Sequence, residues 1–215
     1  MAKETAIVLN NGSLDSAVVS ALAAQAYRPV FLHVEPGTAG PPTRRKVAYT
    51  DQAAHFKPFR EHTLTIPLPS LAGDAAATDP RAVESVTQGL QRLTPMIGLA
   101  IHLAAAYQSV AIYVGLRVGP RVDDLARATE YLQVWDELVQ MTLERPALRV
   151  VAPLLEMELW QAVDLGFQVN APLDRTWSCV DEHGDPCNAC RGCRSRDAAF
   201  MQAAKPDPLK TTRTV

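Results

Sequence analysis

The chain has 215 residues, of which 47% are hydrophobic and 20% charged, a balance that suits one globular α/β domain with a real core, alone or with a small appendage. A net charge of −2 supplies no global attraction to nucleic acid or to an anionic membrane, which argues against a nucleic-acid binder. No run reaches the roughly 18 apolar residues needed to cross a bilayer, and Met1-Ala2-Lys3-Glu4-Thr5 passes into a short apolar stretch without the long apolar region of a signal peptide, so a cytoplasmic protein with no membrane partner is expected.

Ala6-Ile7-Val8-Leu9 reads as a buried strand. Asn10 to Ser13 is a turn, Ala17 to Ala26 a helix, and Pro29 to Val34 a second strand, which closes a β-loop-α-β unit and implies a parallel sheet. The Gly- and Pro-rich stretch from Pro36 to Pro42 is a loop, and Arg44 to Phe56 reads as a helix. Thr63 to Leu68 is the third expected strand, and the small, polar residues from Leu71 to Pro80 form a loop. A buried helix over Pro95 to Gln108 leads to a fourth strand, Ser109 to Gly115. Thr129 to Glu144 is amphipathic, with Tyr131, Leu132, Trp135, Leu138 and Val139 on one side. Arg149 to Leu154 is the fifth strand, and Glu158 to Leu165 a short helix stopped by Gly166. From Lys205 the chain is a polar tail with no visible pattern. Alternating strands and helices describe a doubly wound sheet, whose ligand sits at the C-terminal edge of the strands. The turn Asn11 to Ser16 lies at that edge.

Cys179, Cys187, Cys190 and Cys193 are the only cysteines and follow C-x7-C-x2-C-x2-C. In a reducing compartment such clustering points to metal before disulfides. Four thiolates complete a closed tetrahedron around structural zinc, and Gly184, Asp185, Pro186, Asn188 and Gly192 supply turns between them. An iron–sulfur cluster uses the same ligand type, and unligated thiols are the remaining reading. His183, between two cysteines, is not needed to complete the set.

Asn11-Gly12-Ser13-Leu14-Asp15-Ser16 follows a strand and opens a helix. Small residues there bring backbone N–H groups close to a phosphate at a helix N-terminus. Ser13 and Ser16 add hydroxyls, and Asp15 stands where it caps the helix or helps hold Mg²⁺. An ordinary capped turn fits the same residues. Arg117 and Arg121 follow the fourth strand and are candidates for an anionic ligand. Trp177 is a candidate to stack on a flat, purine-like ring or to fill the core. His33 closes the second strand at the ligand edge and reads as a structural histidine.

Thr176-Trp177-Ser178-Cys179, the Cys187-x2-Cys190-x2-Cys193 run, Arg196 and Phe200 together resemble the 7-cyano-7-deazaguanine synthase family of queuosine biosynthesis. The first loop resembles that family's pyrophosphatase-type ATP loop, S-G-G-x-D-S. Pro153-Leu154-Leu155, Leu165-Gly166 and Thr129-Glu130-Tyr131 fall near further family segments. The resemblance implies a Rossmann-like, adenine nucleotide alpha hydrolase-type domain over residues 1–172, a zinc element over 173–204 and a flexible tail over 205–215. It implies ATP with Mg²⁺ held by Asn11, Gly12, Ser13, Leu14, Asp15 and Ser16, and structural zinc held by the four cysteines. The implied chemistry is adenylation of 7-carboxy-7-deazaguanine or an analogue, attack by ammonia to give an amide, and a second ATP-driven step to the nitrile. The implied partner is that small carboxylate; a homodimer is an arrangement the sequence leaves open.

Several positions depart from the family pattern. Asn11 and Ser13 replace a serine and a glycine of the loop, and Ser13 adds a Cβ where close phosphate approach favours glycine. Thr94-Pro95-Met96-Ile97-Gly98 stands where the family has an arginine–asparagine pair. Glu158-Leu159 replaces a serine–lysine pair, which puts an acid where a phosphate-facing lysine is expected. Gly119-Pro120-Arg121-Val122-Asp123-Asp124 is a reduced substrate segment. A divergent member fits these changes, either acting on another carboxylate or retaining only a nucleotide-binding or protein-binding role. A small zinc-bearing nucleic-acid module is the third reading, weakened by the acidic balance.

Overall fold

A computed structural model describes residues 3–36, 41–66, 85–144, 147–181 and 183–211. In chain order these form β1 (Thr5–Leu9), α1 (Leu14–Ala26), β2 (Arg28–Pro36), α2 (Arg44–Phe56), β3 (Arg60–Ile66), α3 (Val86–Ala106), β4 (Ala111–Tyr113), α4 (Val122–Leu143), β5 (Arg149–Val151) and α5 (Leu159–Gln168). A short 3-10 turn (Leu173–Arg175), α6 (Arg191–Gln202) and α7 (Pro208–Thr211) follow. The strands make one parallel sheet in the order β3-β2-β1-β4-β5. The chain order reverses between β1 and β4, so the crevice of this doubly wound fold opens beyond their C-terminal ends.

Period-two alternation along the strands fills both faces of the sheet. Val8 and Phe31 point into one core with Leu14, Val18 and Val19 of α1, Tyr49 and Ala53 of α2 and Ala162 and Val163 of α5. Ile7, Val30, Leu32 and Ile112 point into the other with Ile97, Ala100 and Ala104 of α3 and Val139 of α4. Both faces are covered, which is why β1 reads as an uninterrupted apolar run. Among the described residues edge strand β3 pairs only with β2, and it is largely exposed, as its Arg60, Glu61 and His62 permit. It starts earlier than expected and ends at Ile66; the expected Pro67-Leu68 and the Leu71–Pro80 loop lie outside the described residues.

Three helices differ from the sequence reading for identifiable reasons. Helix α3 begins at Val86, because Ser85 and Gln88 form a reciprocal capping box ahead of it. Pro95 is therefore inside the helix, and the hydroxyls of Thr94 and Tyr131 both reach the Leu90 carbonyl in the preceding turn. Helix α4 begins at Val122, with Asp123 and Asp124 in its first turn where the helix dipole favours acids. Helix α5 does not stop at Gly166. That residue sits where α5 meets α1, and a Cβ there would lie 3.0 Å from Leu173 Cδ2 and 3.1 Å from Val18 Cγ2.

Residues 206–211 are not a free polar extension. Asp207 receives two bonds from the Arg196 guanidinium, at 2.7 and 2.8 Å, and both side chains are buried. The same guanidinium donates to Thr176 Oγ1 at 2.6 Å and to the Leu173 carbonyl at 2.9 Å. Arg196 thus fastens α6 to the 3-10 turn and to the chain's last described turn. Among the described residues no helix is long and apolar enough to cross a membrane.

Removing one partner of a buried, fully bonded pair strands the other charge, at a cost of about 3–5 kcal/mol. Asp207→Ala is expected to lower the free energy of unfolding by that amount. The double variant Arg196→Met, Asp207→Leu is expected to lose less. Urea unfolding midpoints of the three proteins check both statements.

Candidate functional site

The turn after β1 is built around one buried amide. Asn10 Oδ1 accepts from the Gly12 N–H at 2.9 Å, and its Nδ2 donates to Ser20 Oγ at 3.1 Å and Gln52 Oε1 at 2.9 Å. Gln52 in turn donates to the Arg175 carbonyl at 2.8 Å and the Ser13 carbonyl at 3.4 Å. Gly12 has φ +77°, and a Cβ there would run into the Arg45 carbonyl and come within 2.9 Å of Tyr49 N. Glycine lets the turn lie directly on the backbone of α2. The Gly12 carbonyl accepts from Trp177 N–H at 2.9 Å, so the turn is also tied to the cysteine-bearing segment.

The residues expected to face a phosphate bond to one another. Ser13 caps α1, its Oγ accepting from Ser16 N–H at 3.2 Å. Asn11 Oδ1 accepts from Ser13 N–H at 3.1 Å and from Ser16 Oγ at 2.6 Å. Ser16 Oγ accepts from Asn11 N–H at 3.2 Å. Leu14 is buried in the core on the α1–α5 side of the sheet, so its side chain serves packing. Asp15 sits in the first turn of α1, its Oδ1 3.2 Å from Arg117 Nε.

Arg117 therefore comes into the crevice, whereas Arg121 does not. Arg121 is 83% exposed and pairs with Asp124 of its own helix at 3.3 Å. Trp177 is buried among Ala48, Cys179, Cys190 and Cys193, and its indole donates to the Asp181 carbonyl at 3.1 Å. It forms the core of the cysteine element and offers no open stacking face. Glu158 is engaged locally: it forms a capping box with Gln161 and accepts from the Trp160 indole at 2.7 Å. Its charge sits against the N-terminus of α5, which stabilises it there.

Two contributors went unnoticed in the sequence. Asn10 and Gln52 are buried polar residues with no motif to mark them, and only their mutual bonds reveal them. His33, read as structural, lies under the turn. Its Nδ1 donates to the Asn10 carbonyl at 2.8 Å, its ring stacks on Tyr49 at 4.2 Å, and its Nε2 is 3.5 Å from Glu35. Burial holds its pKa below the usual histidine value, with Lys46 pushing the same way and Glu35 and the Asn10 carbonyl opposing.

The four cysteine sulfurs all lie within 4.8 Å of one another, a group that could hold a metal ion. A Zn–S bond of about 2.3 Å sets a tetrahedral S···S edge of about 3.8 Å; Cys179 and Cys190 stand 3.9 Å apart. Backbone N–H groups of Asp181 and Cys187 point at Cys179, that of Cys190 at Cys187, and that of Cys193 at Cys190. Such donors stabilise thiolate. Those on Cys187, from Ala189 and Cys190, bring its thiol down to about 6, with a further contribution from Cys179. Burial pushes Cys179 and Cys193 upward, and a cation between the sulfurs would reverse that. The donor set and spacing fit a zinc site.

A family model described as "Queuosine biosynthesis protein QueC" matches residues 5–204. A 7-cyano-7-deazaguanine synthase of Microcystis aeruginosa (strain NIES-843 / IAM M-2473) is 30% identical over 218 residues, covering 94% of this chain and 93% of that relative. The protein of the same name from Parasynechococcus marenigrum (strain WH8102) is 29% identical, covering 96% and 97%. Among solved structures, NMN synthetase from Francisella tularensis superimposes with a TM-score of 0.53 at 14% identity, over 97% of this chain and 82% of that one. A 4-thiouridine synthetase solved with RNA and bound ATP gives 0.51 at 16% identity, over 94% and 50%. These two likenesses are of fold.

Elemental analysis is expected to return one metal ion per chain, and Cys190→Ser to lose it together with thermal stability. A second expectation concerns pH. The folded pKa of His33 lies below its unfolded value near 6.5, so between the two the unfolded chain binds more protons and stability rises with pH. This contribution is complete above about 6.5 and is lost as pH falls through the folded pKa. His33→Asn should flatten the pH dependence of the unfolding midpoint below 6.5; an unchanged slope would show that folding does not shift the His33 pKa.

Proposed function

Since this chain belongs to the family of the queuosine biosynthesis protein QueC, we propose that it is an ATP-dependent synthase. It adenylates a carboxylate of the 7-carboxy-7-deazaguanine class and joins the product to ammonia. The observation that carries the reading is the turn Asn11–Ser16, seated at the reversal of strand order and at the N-terminus of α1. That is where an α/β sheet of this kind receives a phosphate. Gly12 and the tight seat on α2 hold the turn in one shape before ATP arrives, so little ordering remains to be done on binding.

The bonds inside the turn describe its resting state. The Asn11 carboxamide oxygen engages Ser13 N–H and Ser16 O–H, donors suited to a phosphate oxygen. Phosphate binding turns that carboxamide aside and takes its donors over. Asp15 is the acid at hand for Mg²⁺ that accompanies ATP. Glu158 does not oppose the nucleotide, because its carboxylate is occupied by its own helix and by Trp160.

A carboxylate is a poor electrophile. Its oxygen attacks the α-phosphorus of ATP, the bond to the β-phosphate breaks, and pyrophosphate leaves. Ammonia adds to the acyl carbon, AMP departs and one proton passes to solvent, giving the amide. A second ATP takes the amide oxygen, releasing pyrophosphate and a proton; loss of AMP and another proton leaves the nitrile. The chain's part is to position and to balance charge, the two effects that lower such barriers most. Zinc in the four-cysteine element is structural in this reading. Sulfurs within 4.8 Å of one another suit a single shared ion, whereas thiolates of a multi-iron cluster bind separate irons and stand further apart.

A member that binds nucleotide or a partner without turnover is the second reading, favoured by the donors that Asn11 and Ser13 occupy. The two separate in one assay. Pyrophosphate release from MgATP is expected to require 7-carboxy-7-deazaguanine and ammonia, with the amide and nitrile as products. ATP binding without release supports the second reading, release with other carboxylates alone redirects the substrate, and iron in place of zinc by elemental analysis overturns the metal assignment.

A further inference from the structure

The first loop carries no lysine or arginine among Asn11 to Ser16, and neither Glu158 nor Leu159, where the resemblance expects a serine–lysine pair, is a cation. A polyphosphate at this turn needs a cation from elsewhere. We propose that Arg117 is that cation, a phosphate-binding residue that takes the β- and γ-phosphates of the nucleotide, or free pyrophosphate, through its two terminal amino groups. The proposal rests on the reading of the turn as a nucleotide site.

The backbone brings Arg117 there by two fixed contacts. Gly115, just beyond β4, lies against the first turn of α1: a Cβ on it would be 3.3 Å from both the Asp15 carbonyl carbon and Ser16 N. Two residues later, the N–H groups of Val118 and Gly119 both donate to the Leu155 carbonyl, at 2.9 and 3.1 Å. The segment from 115 to 119 is therefore held between the turn and the stretch after β5. From it the Arg117 side chain reaches back across the crevice to Asp15.

The way the guanidinium is used is the second part of the argument. Arg117 bonds Asp15 through Nε alone, at 3.2 Å. Among the described residues its Nη1 and Nη2 make no hydrogen bond, and the side chain is 23% exposed. Arg196 shows the contrary case, with every nitrogen engaged and the side chain 5% exposed. Guanidinium binds an anion best through two parallel N–H bonds. An Nε anchored on Asp15 fixes the plane of the group and leaves the Nη pair presented beside the N-terminus of α1. Asp15 is then the positioning residue for Arg117, and the helix N-terminus adds its own positive potential to the same spot.

The experiment is calorimetric titration of the full-length wild type, Arg117→Ala and Arg117→Lys with MgATP, AMP and pyrophosphate, with near-ultraviolet dichroism and metal content confirming that each variant is folded. The expected result is at least a tenfold loss of affinity for MgATP and pyrophosphate in Arg117→Ala, with AMP affinity unchanged, and partial recovery in Arg117→Lys. Equal losses for AMP and ATP, or no loss, overturn the proposal while the nucleotide reading stands. Wild-type binding of pyrophosphate but not ATP, abolished by Arg117→Ala, sustains Arg117 as the anion residue and removes the nucleotide reading. Wild-type binding of neither overturns both. If Arg117→Ala does not fold, Arg117→Lys alone decides, since it keeps the charge and loses the fork: undiminished affinity for pyrophosphate overturns the paired Nη contact.

Discussion

Gln52 is the side chain on which the geometry of the crevice depends. It lies on α2, fully buried, and reaches three separate segments: Asn10 at the end of β1, the Ser13 carbonyl at the start of α1, and the Arg175 carbonyl ahead of the cysteine element. A buried carboxamide must find partners for its oxygen and its nitrogen, because an unmet one costs about 1–3 kcal/mol. Here the partners are backbone carbonyls and another amide, none of which can be supplied until all three segments are in place. The bonds thus act as a condition on assembly. The turn, the helix behind it and the C-terminal element take their relative positions together.

The cysteine element is fastened to the sheet by that condition and by two others. The Trp177 N–H bonds the Gly12 carbonyl, and Arg196 joins α6 to the Thr176 hydroxyl and the Leu173 carbonyl. A metal held at this position would therefore do more than close its own loops. It would order Trp177, which is buried among the cysteines and Ala48 and whose backbone N–H holds the turn. The element's effect on the crevice passes through backbone, since its own aromatic ring is enclosed.

What was legible in the sequence follows from the range over which each signal acts. Continuous apolar runs announced β1, β2 and β4, because strands covered on both faces leave no polar register to confuse them. Cysteine spacing announced a four-thiol group that could hold a metal ion, since loop-borne ligands must be close in sequence to converge cheaply. The start of α2 at Arg44 was legible from the Gly- and Pro-rich loop ahead of it; that of α3 was not. The Ser85–Gln88 box places the start of α3 nine residues before Pro95, and local hydrophobicity could not show it. Gln52, Asn10, and the pairing of Arg196 with Asp207 were not legible at all. Each is one polar residue whose meaning lies in a partner brought up by the fold. Gly166 was misread for a related reason: its small size serves contact with Val18 and Leu173, not helix termination.

The departures in the loop also acquire a physical sense. Asn11 and Ser13 fill with their own oxygens the donors that an anion would use, and Asp15 neutralises the cation that faces them. An empty anion site in water attracts solvent and loses its shape; one filled by its own side chains keeps it. The cost falls on affinity, because each internal bond must be exchanged for a bond to phosphate at little net gain. Such a site discriminates by charge. A triphosphate, with several anionic oxygens, can replace several internal acceptors at once, while a singly charged ligand cannot. In the nucleotide reading proposed above, selectivity for polyphosphate would arise from how well the resting turn satisfies itself, a property to which Asn11, Ser13 and Asp15 contribute jointly and which no one of them carries in the sequence.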